Sequence, residues 1–162
     1  MKSGEPGSPR RRGPPRQAYQ YVRPLAVTFA IPLRLILTMA RAELLQLSVE
    51  VAPGALSFEV PPLLLLPLCE NAVKHGPAKG FRGPITISGR QEGAGVRLAV
   101  TNPGPNLGPR AGSEGLPTAE KRLKLAFGPQ ATLTLEGVQG AATPSTQATL
   151  WLPGPMPSGV NT

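Results

Sequence analysis

Five stretches of the chain alternate hydrophobic with polar residues, and this period of two predicts five half-buried β-strands. The stretches are 45–51, 85–89, 96–100, 133–135 and 147–152. The second and third are separated by a short glycine-rich segment at 93–95, which is typical of a tight hairpin turn. The pattern therefore predicts a sheet that contains at least one antiparallel pair of strands.

A long apolar run between the first two strands predicts a helix. The run opens at the double proline 61–62 and ends at Gly76, and these residues suit the first turn and the end of a helix. An interior proline removes a backbone hydrogen bond and clashes with the preceding turn, so Pro67 predicts a break. The firm helix is therefore expected over 68–75.

A second helix is predicted over 119–127, with Thr118 as its N-cap and Gly128 just past its end. A loop rich in proline and glycine, 102–117, precedes this helix. The predicted order is strand, helix, hairpin, long loop, helix and two further strands. Such an order favours an α/β (α+β) two-layer sandwich, with the helices on one face of a mixed or mostly antiparallel sheet.

The composition divides the chain into a folded domain and two unusual ends. The 162 residues are 40% apolar with a net charge of +8, and the 21 prolines and 19 glycines are richest near the ends. We expect a disordered basic, proline-rich arm and a short apolar segment over 1–41, the domain over 42–153, and a flexible tail over 154–162. The single cysteine, Cys69, excludes a disulfide framework and a cysteine-based zinc site, and is interpreted as a core residue.

The basic arm could attract nucleic acid or anionic lipid. No interleaving of aromatic residues with its charges and no helical periodicity supports specific binding of nucleic acid, so we expect a solvated tail. The apolar segment 24–39 is interrupted by Pro32 and Arg34 and is shorter than the roughly 20 residues of a membrane helix. It could form a short helix within 23–45, and we expect a cytoplasmic chain that meets membranes only through a partner.

Four polar residues crowd the end of the first predicted helix: Glu70, Asn71, Lys74 and His75. Spacings of three and four residues place them toward one side of a helix. An asparagine oxygen can bind Mg²⁺, a carboxylate can contact the metal or orient water, and a lysine can neutralise a phosphate. The alternative is a plain polar helix end, where the helix dipole already favours lysine and histidine. Chemistry alone favours that simpler interpretation.

Two loops add weaker signals. Asn102 ends a predicted strand, and Gly104 beyond it would let the backbone approach a flat ligand. Gly115 and Leu116 belong to a glycine-rich segment before a helix, where backbone N–H groups can bind an anion. An ordinary turn and a flexible loop would have the same compositions.

These features occur together and in order, and together they resemble a known family. The string VPPLLLLPLCENAVKHG over 60–76 resembles the N-box region of LytS-type sensor histidine kinases, which reads P-P-L-L-L-Q-P-L-V-E-N-A-I-K-H-G and includes the interior proline. The resemblance continues through Asn102 and Gly104, Gly115-Leu116 and 122–128, and closes on 150–153.

The resemblance implies the HATPase (GHKL) domain with the Bergerat ATP-binding fold, a helix-on-sheet sandwich with a mobile lid. It implies ATP and Mg²⁺ as ligands, with Asn71 as the metal-binding residue. Glu70 and Lys74 would lie near the phosphates, and His75 would shape the same helix end. Asn102 would occupy the adenine-reading position and Gly104 would admit the base. The lid would span 105–117 and include Gly115 and Leu116.

Several residues depart from the family pattern. Asn102 stands where the family has aspartate, so its hydrogen bond to adenine should be weaker. Glu114 and Pro117 alter the lid motif G-x-G-L-x-N by adding a negative charge and a stiff residue. His75 is the only histidine, and no F-x-x-H-F-x-F-N-like segment precedes the domain, so this chain alone is not expected to autophosphorylate.

Two functions follow as alternatives. The first is a histidine-kinase ATP-binding and catalytic domain, acting in two-component signal transduction with a partner that supplies the histidine, with a response regulator, or as a homodimer. The second is a degenerate Bergerat-fold scaffold that no longer binds ATP and contacts another protein.

Overall fold

The computed structural model describes residues 23–24, 46–61, 63–108, 115–138 and 143–154. Its strands are β1 (Arg23–Pro24), β2 (Gln46–Val51), β3 (Glu59–Val60), β4 (Pro84–Glu92), β5 (Gly95–Pro103), β6 (Thr132–Gly137) and β7 (Ser145–Leu152). Its helices are α1 (Pro53–Leu56), α2 (Leu66–His75) and α3 (Gly115–Phe127), with a 3-10 turn at Pro77–Lys79.

Five of the described strands form one mixed sheet in the order β2-β4-β5-β7-β6. The outer strand β2 runs parallel to β4, and the other neighbours are antiparallel. A parallel pair needs a crossover, which here contains α2, whereas the turn at 93–94 suffices for the β4–β5 hairpin. The five predicted strands and the two-layer mixed α/β fold are therefore confirmed.

One face of the sheet and the inner faces of α2 and α3 form the hydrophobic core. The sheet contributes Ile85, Ile87, Leu98 and Leu150, and the helices contribute Leu68, Cys69, Ala72 and Leu123, all essentially inaccessible to solvent. The opposite sheet face is mostly polar, because serine, threonine, arginine, glutamine and glutamate alternate with the core residues, with Ala99 and Trp151 as apolar exceptions. This one-sided burial is usual for sheets with antiparallel strands.

The apolar run before Pro67 is not helical over 63–65, as the predicted break near Pro67 requires, but the helix starts two residues earlier than predicted. Helix α2 begins at Leu66, so Pro67 lies in its first turn, where the backbone N–H has no helical partner to lose. The predicted firm segment 68–75 is otherwise confirmed, and the helix ends with the Gly76 N–H donating to the Ala72 carbonyl at 2.9 Å.

Helix α3 begins earlier than predicted. Its first residue is Gly115, so Thr118 lies within the first turn and is not the N-cap. The helix ends as expected: Gly128 has φ +83° and its N–H donates to the Lys124 carbonyl.

The N-terminal predictions fall almost entirely outside the described residues. Arg23 and Pro24 form a strand that pairs with Val60 and Glu59, so the short helix predicted within 23–45 does not include them. The rest of that prediction, and most of the arm and of the tail, lie in parts of the chain that the structure does not describe. In the described ranges, no helix is both long and apolar enough to span a bilayer.

Candidate functional site

A cleft of about 630 Å³ opens between α2, the start of α3, strand β6 and the loop after β5. This volume lies within the range of small-ligand pockets. Both apolar and polar residues line it: Asn71, His75, Lys79, Phe81, Pro105, Asn106, Leu107, Gly108, Leu116, Pro117, Glu120, Leu133, Leu135 and Thr146. The cleft combines apolar walls with a few polar groups, as expected for a site that binds a partly flat, partly charged molecule.

Helix α2 brings only half of the predicted polar cluster to the cleft. Asn71 and His75, four residues apart, are half-buried and line it. Glu70 and Lys74 lie on the exposed side of the same helix and are not among the lining residues. The two pairs therefore occupy neighbouring faces of α2, and only the Asn71–His75 pair touches the cavity.

The end of α2 is packed tightly against the end of β5. A Cβ atom added at Gly76 would lie 2.7 Å from the Ala72 carbonyl oxygen and 3.2 Å from the Cβ of Asn102. Real Cβ atoms essentially never lie 2.7 Å from a backbone oxygen, so glycine is required for the helix to end against the strand. This contact fixes the positions of Asn71 and His75 relative to the loop that follows β5.

Asn102 is buried at the end of β5 and does not line the cleft. Its side chain is 3% exposed, and its Nδ2 donates to the Pro103 carbonyl at 2.9 Å. The cross-strand neighbour of Asn102 is Thr146, whose side chain lines the cleft and whose Oγ1 donates to the Gly104 carbonyl at 2.9 Å. Thr146 therefore lies beside Asn102 in the buried wall of the cleft, with only 5% of its surface exposed.

Both ends of the predicted lid contribute to the wall of the cleft. After β5, Asn106 Nδ2 donates to the Leu135 carbonyl at 3.1 Å, and the Gly108 N–H donates to Asn106 Oδ1 at 3.0 Å. At the other end, Leu116 and Pro117 line the cleft, while Gly115 is exposed at the first position of α3. The predicted position of Glu114 lies outside the described residues.

Charged groups at the cleft have both signs. Lys79 lines it from the 3-10 turn and Glu120 from α3, where the Glu120 carboxylate pairs with Lys124 at 2.6 Å. Because that pair is exposed, it contributes little to stability. Among the described residues, no three His, Cys, Asp or Glu side chains converge in a way that could hold a metal ion.

The cysteine beside the predicted cluster does not belong to the site. Cys69 points into the core, and its burial first, with the negative charge of Glu70 second, raises the pKa of its thiol to about 12. It is a core residue, as the sequence predicted.

Sequence reasoning missed half of the cleft. Leu133 and Leu135 lie at inward positions of a predicted strand, where their alternation was the available signal, and Thr146 lies one residue before the predicted strand 147–152. Lys79 and Phe81 lie between the first predicted helix and the second predicted strand, and Asn106 falls within the predicted lid. No local pattern marked them, because their position depends on how the ends of α2 and β5 meet.

The fold is that of histidine-kinase ATP-binding domains. The catalytic domain of histidine kinase ThkA superposes with a TM-score of 0.66 over 82% of this chain and 93% of that chain, at 18% identity. The cytoplasmic segment of histidine kinase QseC gives a TM-score of 0.61 over 88% of this chain and 84% of that chain, at 16% identity. Full-length ShkA in complex with AMPPNP gives 0.62 over 82% and 31%, at 17% identity.

The sequence also resembles part of one curated relative. The sensor histidine kinase YpdA of Escherichia coli (strain K12) is 38% identical over 82 residues, which cover 43% of this chain and 14% of that kinase. The similarity therefore spans a small part of YpdA. No family model matches the chain.

Proposed function

We propose that the chain contains the ATP-binding domain of a LytS-type sensor histidine kinase, bounded by residues 42–153, and that it binds Mg-ATP in the cleft between α2 and α3. The observation that carries the proposal is the placement of Asn71 and His75. They belong to the N-box-like string and line a 630 Å³ cleft in a chain with this fold. ShkA, a neighbour in fold, has been solved in complex with AMPPNP.

The cleft residues fit the two ends of a nucleotide. Leu133, Leu135 and Phe81 offer apolar surface to a base, and Thr146 offers a hydroxyl. Gly104 would contribute by allowing the Phe81 ring to pack against the backbone beside the base. At the other end, Lys79 can neutralise phosphate charge, and the start of α3, with Gly115 and Leu116, can donate backbone N–H groups.

Asn71 fits the role of metal-binding residue. Its side chain reaches the cleft, and an amide oxygen is a hard ligand of the kind that Mg²⁺ accepts together with substrate phosphates. When bound, Mg²⁺ would neutralise charge on the phosphates. Glu70 and Lys74, on the adjacent exposed face of α2, would approach the phosphates only at the mouth of the site.

The chemistry proposed for this site is phosphoryl transfer to a histidine supplied by a partner protein, because His75, the only histidine in the sequence, lines the site itself. A histidine ring nitrogen would attack the γ-phosphorus, and the bond to the bridging oxygen would break as ADP leaves. The described residues would contribute by positioning and charge neutralisation. A response regulator in the cytoplasm would then accept the phosphoryl group, and any membrane contact would be through a partner.

Two observations favour a second candidate, the scaffold without ATP. Asn102 has its amide hydrogen-bonded to its own backbone neighbour and does not line the cleft, and the Glu120 carboxylate lines the cleft where phosphate charge would be repelled. Such a domain would use the same fold to contact a protein.

Isothermal titration calorimetry with Mg-ATP separates the two functions. The first predicts binding by the wild type and a loss of about tenfold or more for Asn71→Ala, because removing a charge-assisted interaction costs on the order of 1.5–3 kcal/mol. Gln91→Ala, which removes an exposed amide on β4 away from the cleft, should bind like wild type. Absence of binding by wild-type protein that is folded by circular dichroism would reject the first function in favour of the scaffold.

A further inference from the structure

One aromatic side chain, that of Phe81, lies at the rim of the cleft and belongs to none of the sequence motifs. Phe81 is 40% exposed although it is a large hydrophobic residue, and it lines the cleft. The only ring pair among the described aromatic side chains joins Phe58 and Phe127, so Phe81 stacks on no described aromatic residue. An exposed ring in a cavity wall is a candidate contact for a flat ligand.

The backbone holds Phe81 in place. The Gly76 carbonyl accepts from the Lys79 N–H at 2.9 Å and from the Phe81 N–H at 3.4 Å, so the turn after α2 closes on itself. Gly80, with φ +86°, makes the sharp step that aims the next residue back toward the helix end. Phe81 is therefore fixed to the same helix end that carries Asn71 and His75.

Gly104 sets the position of the ring from the opposite side. A Cβ atom at Gly104 would lie 2.6 Å from Cδ2 and 2.9 Å from Cε2 of Phe81, and 3.1 Å from the His75 carbonyl oxygen. The ring thus packs directly on the glycine backbone at the end of β5. One part of the ring is covered by this contact, and the rest faces the cleft.

We propose that Phe81 is a specificity-determining residue of this site, whose ring stacks on the base of the bound nucleotide and gives a preference for purines. The proposal rests on the proposed nucleotide binding and names the base class that the site selects. A ring held by a closed turn loses little freedom on binding. Base–aromatic stacking stabilises any base that lies on the ring, and the two fused rings of a purine can cover more of the Phe81 ring than the single ring of a pyrimidine. The remaining apolar walls, Leu133 and Leu135, contribute contact area without a π-face.

Competition titrations with Mg-ATP, Mg-GTP and Mg-CTP test the proposal. We expect the wild type to bind both purine nucleotides about tenfold more tightly than Mg-CTP, which is the scale of one stacking contact. Phe81→Ala should lose about tenfold in affinity for the purine nucleotides and reduce the purine-to-pyrimidine ratio to about threefold or less. Phe81→Tyr keeps the ring and should keep the ratio.

Leu125→Ala is the matched control, because Leu125 is 74% exposed on α3 and does not line the cleft. It should bind all three nucleotides like wild type. Thermal unfolding of each variant, followed by circular dichroism, identifies a general loss of structure.

The outcomes distinguish this proposal from the one on which it rests. Equal losses for ATP, GTP and CTP in Phe81→Ala would mean that the ring only packs against Gly104, and would overturn the purine proposal while nucleotide binding stands. Unchanged affinities in Phe81→Ala would overturn it as well. A folded wild type that binds none of the three nucleotides would overturn both proposals.

Discussion

At the scale of single residues, Gly104 is where three parts of the site meet. Its backbone contacts the ring of Phe81 and the carbonyl of His75, and its own carbonyl accepts from Thr146. The sequence suggested glycine here so that a ligand could approach. The structure shows an additional reason: φ is +110°, and protein atoms already fill the space that a side chain would need.

Gly104→Ala should therefore lower the free energy of unfolding by about 2–4 kcal/mol, as left-handed strain adds to overpacking. Gly128→Ala is the control, because Gly128 also has positive φ, +83°, but nothing lies within 4 Å of its added Cβ. It should lose only about 1–2 kcal/mol. Urea unfolding of both variants measures the difference, and equal losses would contradict the close packing at Gly104.

Cys69 carries a prediction about pH. Its raised pKa of about 12 means that at pH 8 roughly one thiol in 10⁴ is ionised in the folded chain. The native protein should react very slowly with a disulfide reagent, and the urea-unfolded protein should react at once. A fast reaction of the native thiol would contradict its burial.

The same pKa shift affects stability above pH 9. The unfolded thiol loses its proton near its ordinary pKa of 9.0, whereas the folded thiol keeps it until about 12. The folded state binds more protons in this window, so this contribution to stability is complete below pH 9 and is lost as pH rises toward 12. The free energy of unfolding of the wild type should therefore fall more steeply over this pH range than that of Cys69→Ala.

At the scale of elements, the strands could be predicted more accurately than the helix ends. Alternation placed all five strands, because one face of each is buried or partly buried against the core and the other is mostly polar. The predicted start of α2 was two residues too late. A proline disrupts the interior of a helix but suits its first turn, and the packing of the preceding segment decides which of the two applies. The start of α3 was wrong for the same kind of reason: Gly115 to Pro117 have weak helix signals but continue the packed helix.

Pro67 gives a test of this correction. In the first turn, Pro67→Ala should lower the free energy of unfolding by about 0.4–1 kcal/mol, because alanine frees the unfolded chain without adding a helical hydrogen bond. Glu70→Pro, an exposed position three residues further, should cost about 3 kcal/mol or more. Stabilisation by Pro67→Ala would indicate that the proline interrupts the helix after all.

At the scale of the whole molecule, the cleft depends on sheet order. Strands β5 and β7 are neighbours, which places Asn102 opposite Thr146, and β6 lies outside β7 as an edge strand. Local patterns do not encode this order, so the sequence could predict the N-box residues of the site but not Thr146, Leu133 or Leu135 beside them. The fold could be predicted from the resemblance to a family, whereas the shape of the site depends on the contact between α2 and β5.

The most direct test of the central claim is to map Mg-ATP binding on the folded protein by amide chemical-shift changes in two-dimensional NMR. We expect the largest changes around the cleft, at Asn71, His75, Leu116 and Thr146. We expect no change on the open sheet face, for which Ser88 is the reference. Shifts confined to the open face, or no shifts at saturating Mg-ATP, would contradict the assignment of this cleft as a nucleotide site.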